Sequence, residues 1–251
     1  MVISFKTKTI QKILLPLSDR IDHLVTLYAE AQDGAAIEPV SPLISQVKIA
    51  VANLQSVGKE TANDCNDQEL QTEMHRGLKQ IEEACQKLDQ CDRMISADNS
   101  SKEGRDFLIA GSRLILIGTA KVLESYDDYQ VRQLVVHCNK IKDFLKNSTL
   151  IRIPAENEAF STNLRPGLQM TDKKILDRVD EIISNKMAIL LKDTLTEFDQ
   201  AVEDILSVLS LLIEIPVSEQ PASIKANKIK NQVKLHLADS NRHIDLIIEI
   251  L

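Results

Sequence analysis

Tryptophan is missing from the 251 residues, and three Tyr and five Phe are the only other ring-bearing aromatics beside seven Gly and seven Pro. Strands and their turns draw on those residue types, so the composition argues against an all-β or doubly wound fold. Long apolar runs are also missing: no stretch approaches the ~18–20 residues of a membrane span. The start, MVISFKTKTIQKILLPLSDR, lacks the uninterrupted apolar stretch and small-residue cleavage site of a signal peptide. Cys65, Cys85, Cys91 and Cys138 show no CxxC spacing and sit inside helical patterns, which predicts reduced, partly buried thiols in a cytoplasmic protein. An excess of positive charge is absent too. With 30 Lys+Arg against 37 Asp+Glu, the net charge of −7 argues against nucleic acid as a partner. What fills the chain is Leu, Ile, Glu, Lys, Gln and Ala, with 43% apolar and 27% charged residues, the balance of a globular, all-helical protein.

Apolar residues recur at helical spacing almost throughout, and the few breakers mark the joints. A first helix is predicted from about Thr7 to Ala31, with Pro16 inside it and Asp33-Gly34 ending it. Ser41-Pro42 reads as an N-cap and first helical proline for the second, whose stripe is Leu43, Val47, Ala50, Leu54 and Val57. A turn at 64–67 precedes a third helix with Leu70, Met74, Leu78, Ile81, Cys85, Leu88 and Ile95. Ser100-x-x-Glu103 resembles a capping box, and from there nothing stops the next helix before Lys146. At ~1.5 Å per residue its 44 positions span roughly 66 Å, too long for one ordinary bundle to shield. Pro154, Pro166-Gly167, Pro216 and Pro221 divide the remainder into a short helix to about Thr162, one from about Gln169 to Ser184, and two longer ones at about Asn185 to Ile215 and Ser223 to Leu251. The expected fold is all-α: seven helices in two antiparallel four-helix bundles, residues 1–125 and 126–251, sharing one long central helix at about 101–146. The closing HIDLIIEIL is still in helical register, as at the edge of a domain within something larger.

Chemistry is not visible in this pattern. The residues three before His23, His75, His137, His236 and His243 are Arg20, Thr72, Leu134, Val233 and Ser240, so the Glu-x-x-His of a di-iron bundle is absent, as is HExxH. No GxSxG, Gly-rich phosphate loop or activated Cys occurs. Adjacent carboxylates at Asp127-Asp128 and Glu82-Glu83 point about 100° apart and cannot share a substrate. No catalytic residue, metal ligand or cofactor is expected. The run KANKIKNQVK at 225–234 is cationic and could be a solvated surface, or meet an acidic helix or anionic lipid.

The apolar faces themselves are the remaining candidate. Val47, Ala50, Val57, Gly111, Gly118 and Thr119 are small or β-branched where Leu would be usual on an inward face. Two readings stay open for Gly111 and Gly118, seven apart on one face: close helix crossing in a static core, or a seam of limited stability that parts to admit another helix.

TKTIQKILLPLSDRIDHLV at 7–25, IAVANLQSVGKET at 49–61, RDFLIAGSRLILIGTAKVLESYDDYQVR at 105–132 and NLRPG at 163–167 resemble the first head domain of the vinculin family, within the vinculin/α-catenin superfamily. The resemblance implies a cytoplasmic, cytoskeleton-associated adhesion adaptor in which an amphipathic talin-type helix inserts between the first two helices. It implies a groove of Ile13, Leu17, Ile21 and Leu24 on the first helix and Val47, Ala50, Val51, Leu54 and Val57 on the second, floored by Ile115, Leu123 and Tyr126. Tyr126 stands where the family leads one to expect Phe, and its hydroxyl needs a partner or a route to water. The resemblance also allows α-actinin as a partner and an intramolecular carboxy-terminal tail that holds the head closed; neither that tail nor its proline-rich linker lies within these residues. Two alternatives accompany it: an α-catenin-like junction module that binds a β-catenin-type helix or homodimerises, and a lipid-surface bundle using the 225–234 run.

Overall fold

The computed structural model describes residues 7–30, 40–98, 101–221 and 223–251. Among them are seven α-helices: α1 (Lys8–Glu30), α2 (Val40–Asp64), α3 (Gln68–Ala97), α4 (Lys102–Leu145), α5 (Pro154–Glu181), α6 (Asn185–Ile213) and α7 (Ile224–Ile250). A 3₁₀ turn, Lys146–Leu150, follows α4. The chain divides into two compact units, Met1–Tyr129 and Gln130–Leu251. Each is an antiparallel four-helix bundle, and α4, 44 residues long, contributes its first part to one and its last part to the other.

Local chemistry explains most helix ends. Asp67 caps α3 by accepting from the Leu70 N–H at 2.8 Å, and Ser223 caps α7 by accepting from Ala226 N–H at 3.2 Å. Glu156 reaches back to accept from the N–H groups of Arg152 (2.7 Å) and Ile153 (3.3 Å), holding the entry to α5. Three sequence expectations are corrected. The two helices expected on either side of Pro166 are one continuous α5. Losing the Pro166 N–H strands only the carbonyl of Thr162, an exposed position where water can replace it, while Phe160, Leu164, Leu168, Thr171 and Ile175 keep one buried face across the proline. Ser41 lies inside α2, and its hydroxyl donates to Asp92 on α3 instead of capping. For α4 the cap is Ser101, which accepts from Gly104 N–H at 3.1 Å. Ser100 of the expected capping box and Asp33-Gly34 lie outside the described residues.

In the first unit the core runs through Leu17, Ile21, Val47, Val51, Leu70, Met74, Ile81, Leu88, Leu108, Ile115 and Val122. Its tightest crossing is between α3 and α4. A Cβ on Gly77 would stand 3.1 Å from the Gly118 carbonyl, and one on Gly118 would stand 2.9 Å from the Gly77 carbonyl. The two backbones therefore touch where side chains would normally intervene. Gly111 meets Leu88 and Gly104 meets Ile95 in the same antiparallel register. Of the two readings left open for Gly111 and Gly118, close crossing is what the structure has.

The second unit is joined differently. Phe144 and Phe160 stack with centroids 5.2 Å apart, and Lys142–Asp245 (2.5 Å) and Arg165–Glu203 (3.4 Å) pair α4 with α7 and α5 with α6. Buried Gln220, between α6 and α7, donates through Nε2 to the carbonyls of Arg152 and Ile215, each at 3.0 Å. One amide thereby fastens the α6–α7 connection to the start of α5.

Candidate functional site

The α1–α2 face is built from two stripes. On α2 the buried positions are Ile44, Val47, Val51, Gly58 and Ala62, and on α1 they are Ile10, Leu14, Leu17 and Ile21, with Thr7 buried just before the helix. Two bonds orient α2: Ser41 donates to Asp92, and Lys48 pairs with Asp89 at 2.7 Å. Both mark the flank of α2 that meets α3. Stepping 100° per residue, Leu43, Ala50, Leu54 and Val57 fall on the opposite flank of the buried stripe, the side of α1. The same right-handed winding in the antiparallel α1 turns Ile13 and Leu17 toward α2.

The residues implied as a groove separate into three groups. Leu17, Ile21, Val47, Val51 and Ile115 are buried in the core, and Leu54 and Leu123 are half-buried. Ile13 (43% exposed), Val57 (59%), Tyr126 (43%) and Ala50 are on the surface. The side chain of Leu24 lies outside the described ones. The expectation that Ala50 and Val57 belong to an inward face is thus corrected: the α2 core uses positions 44, 47, 51, 58 and 62, and 50 and 57 sit at its shoulder. Ile13 holds the equivalent place beside the α1 stripe. Tyr126 meets the need of its hydroxyl by exposure, its ring tilted against Tyr129 at 6.3 Å.

Behind the face, α4 presents polar groups to the core. Ser112 and Thr119 are buried, and the Thr119 hydroxyl has no hydrogen-bond partner among the described residues. Both lie on the flank of α4 away from the glycines that meet α3, hence toward α1. An unpaired buried hydroxyl costs about 1–3 kcal/mol, so closing this bundle carries a penalty that exposure to water would relieve. At the other side, Lys121 pairs with Glu73 and holds that carboxyl below the usual carboxylate range, chiefly through their hydrogen bond. The α3–α4 side is fastened by charge and by backbone contact.

Sequence reasoning missed Gly77 and Gly104. Heptad spacing of Gly104, Gly111 and Gly118 was a usable signal for the first crossing face; Gly77, alone in its helix, offered none.

No cluster of three or more His, Cys, Asp or Glu among the described residues could hold a metal ion, and no described helix is long and apolar enough to cross a membrane. Burial pushes the Cys91 thiol up to about 12 and Cys138 to about 11, so neither is a nucleophile at neutral pH. What the α1–α2 face offers is an apolar surface.

A family model described as the vinculin family matches residues 4–238. Vinculin of Rattus norvegicus is 31% identical over 228 residues, which are 90% of this chain and 21% of the relative. The chain therefore spans about a fifth of the length of that curated relative. Among solved structures, a vinculin homologue from a sponge, connected with vertebrate-like cell adhesions, superposes with a TM-score of 0.87 at 24% identity, covering 100% of this chain and 31% of the other. A chain of the HMP-1–HMP-2 complex superposes at 0.74 with 13% identity, covering 98% and 96%. At those identities the two structures speak for the fold alone.

Proposed function

The chain belongs to the vinculin family, and from that premise we propose that it is the head of a cytoskeletal adhesion adaptor whose first unit takes up an amphipathic, talin-type helix between α1 and α2. The observation that carries this reading is the apolar shoulder of Ala50 and Val57, with half-buried Leu54, on the flank of α2 turned away from α3, beside Ile13 on α1. A guest helix first meets these exposed groups, then replaces the contacts between the Leu17/Ile21 and Val47/Val51 stripes, with Ile115 and Leu123 as the floor and Tyr126 at the margin. Each fully buried Leu, Ile or Val anchor of the guest contributes about 1.5–3 kcal/mol. Ordering the guest and parting the host offset much of that gain. A partner that hides such a helix inside its own bundle would bind only once unfolded, for instance by tension, which converts force into recruitment.

In a longer protein this head would sit at the cytoplasmic face of the membrane and link adhesion receptors to actin, with α-actinin as a further helix donor. A carboxy-terminal tail favouring the closed bundle would lower affinity by the fraction of molecules held shut.

Calorimetry with a talin-type helical peptide tests the groove. Because Ala50 is exposed, Ala50→Ile leaves the core untouched while filling the shoulder. We expect at least about tenfold weaker binding, ~1.4 kcal/mol, with unchanged helical circular dichroism. Equal affinity of variant and parent would remove the α1–α2 face from the proposal. A second reading, a junction module of the α-catenin kind, draws on the fold shared with a chain of the HMP-1–HMP-2 complex. A stable homodimer by solution mass, or binding of a β-catenin-type helix but no talin-type helix, would select it.

A further inference from the structure

The second unit contains a cavity of about 120 Å³ between the 3₁₀ turn, the segment after it, the end of α6 and α7. Its floor is apolar, made by buried Leu212 and Val233. Its polar lining is cationic: Arg152 from the segment before α5, and Lys230 and Lys234, one turn apart on one face of α7. Among the described residues none of the three has a carboxylate partner. Arg152 spends Nη1 on the Ile151 carbonyl at 2.6 Å, which fixes its guanidinium at the cavity edge. The Thr149 hydroxyl, also in the lining, donates to the Lys146 carbonyl at 2.9 Å and keeps only lone pairs to offer.

Ser148 differs from Thr149. It is 1% exposed, lines the cavity, and its Oγ has no hydrogen-bond partner among the described residues. Folding has removed a hydroxyl from water and given it nothing in return. A buried donor without an acceptor stands beside three cations without a carboxylate partner, and one negatively charged acceptor in the cavity complements both.

We propose that this cavity binds a phosphate monoester group, held by Arg152, Lys230 and Lys234 and accepting a hydrogen bond from Ser148 Oγ. The volume is far below the ~300–1,000 Å³ of sites for drug-sized ligands, so the occupant is a single compact group. Three convergent cations suit a doubly charged tetrahedral oxyanion better than a carboxylate, and Arg and Lys are the usual phosphate donors. Lys234 is exposed, so the group can enter from solvent while the rest of its molecule stays outside. Of the cationic run at 225–234, Lys225 and Lys228 do not line the cavity. The inference is independent of the helix-binding face, which lies in the other unit.

The full chain is titrated with inorganic phosphate and with a soluble inositol phosphate, followed by amide shifts in nuclear magnetic resonance. Saturable shifts centred on 148–152 and 230–234 are expected. Lys230→Gln with Lys234→Gln should weaken binding at least tenfold, and Lys225→Gln with Lys228→Gln, equal in charge lost, should leave it within twofold. Ser148→Ala should weaken binding several-fold while raising the melting temperature of the unliganded chain by about 2–4 °C, the reverse of what loss of a structural hydroxyl would do. Vesicles of phosphatidylcholine with a few per cent phosphoinositide distinguish the sources. Binding that soluble inositol phosphate displaces identifies a lipid headgroup; no vesicle binding, with the soluble titration intact, identifies a free phosphate compound. Absence of saturable phosphate binding, or equal losses in the two lysine pairs, overturns the proposal.

Discussion

The two units share one architecture and part of one helix, but they are held together by different means. In the second, side chains link neighbouring helices: Phe144 on Phe160, Lys142 with Asp245, Arg165 with Glu203, and Gln220 across two carbonyls at the end of the bundle. In the first, α3 and α4 meet where Gly77 and Gly118 bring the backbones together. On the α1 side, apolar stripes lie in front of a Thr119 hydroxyl that has no partner among the described residues, and apolar shoulders are left in water. In the proposed helix uptake, the first unit would keep its α2–α3 and α3–α4 ties while a guest enters beside α1, whereas a bundle laced on all sides would resist a guest. On the proposed mode of helix uptake, the pair α3–α4 would be the anvil against which α1 and α2 close or part.

The largest effect should come from breaking that anvil. A Cβ on Gly118 would stand 2.8 Å from Ile81 Cγ1, 2.9 Å from the Gly77 carbonyl and 3.0 Å from the Ile81 nitrogen, so the backbone itself must move. Gly118→Ala should cost about 2–3 kcal/mol, outweighing the ~1 kcal/mol gained in helix propensity. In the second unit, Gly167 faces only the Ile141 Cδ1 methyl, at 3.0 Å, a side-chain end that can rotate away. Gly167→Ala should be neutral or stabilising by up to ~1 kcal/mol. Urea unfolding by circular dichroism of the two variants checks the contrast; equal shifts of the midpoint would show that the units are not held together differently.

A smaller and opposite effect is expected beside α1, at the buried Thr119 hydroxyl. Thr119→Val keeps the shape of the side chain and deletes the unpaired hydroxyl, so it should stabilise the first unit by about 1 kcal/mol. If helix uptake requires the α1 side to part, the same change weakens a talin-type peptide by about fivefold. Calorimetry beside thermal unfolding measures both, and a rise in stability with no loss of affinity would uncouple the hydroxyl from opening.

Much of the fold is legible in the sequence because helices here start and stop through local chemistry. The spans of α3, α6 and α7 follow from periodicity and cap residues, and the length of α4 from the want of any breaker between Glu103 and Lys146. Local chemistry misleads where a neighbour overrides it. Pro166 reads as a break because the donor it lacks is usually needed, and only the exposure of Thr162 shows that it is not. Ser41 reads as a cap until Asp92, 51 residues away, takes its hydroxyl. The site is legible as a face but not in depth: stripe membership predicts that Ala50 and Val57 belong near Val47 and Val51, yet a difference of about 60–100° around α2 separates buried from exposed. The phosphate cavity was beyond reach, since Ser148 and Lys234 meet only after α5 and α6 have folded between them.

The smallest effect sharpens the comparison from within the second unit. Asp172 on α5 and Asp199 on α6 are half-buried. Burial raises Asp172 to about 7, with the charge of Asp199 adding to it, and raises Asp199 to about 6, with Glu203 adding. One oxygen of Asp172 is buried without a hydrogen-bond partner. Carboxyls raised above their ordinary values bind protons more tightly in the folded chain, so they favour folding at low pH. That advantage is lost as pH rises through the folded values, between about 4 and 7. Asp172→Asn fixes the uncharged form and should raise the melting temperature at pH 8 by about 2–4 °C, ~1 kcal/mol once solvent screening of a half-exposed pair is allowed for. The gain should shrink to nothing by about pH 4, where the parent is itself protonated. Scanning calorimetry at several pH values tests this, and a gain that persists in acid would assign it to packing. Because this strain is electrostatic and lies inside a laced bundle, relieving it should leave peptide affinity at the α1–α2 face unchanged, whereas Thr119→Val alters stability and affinity together.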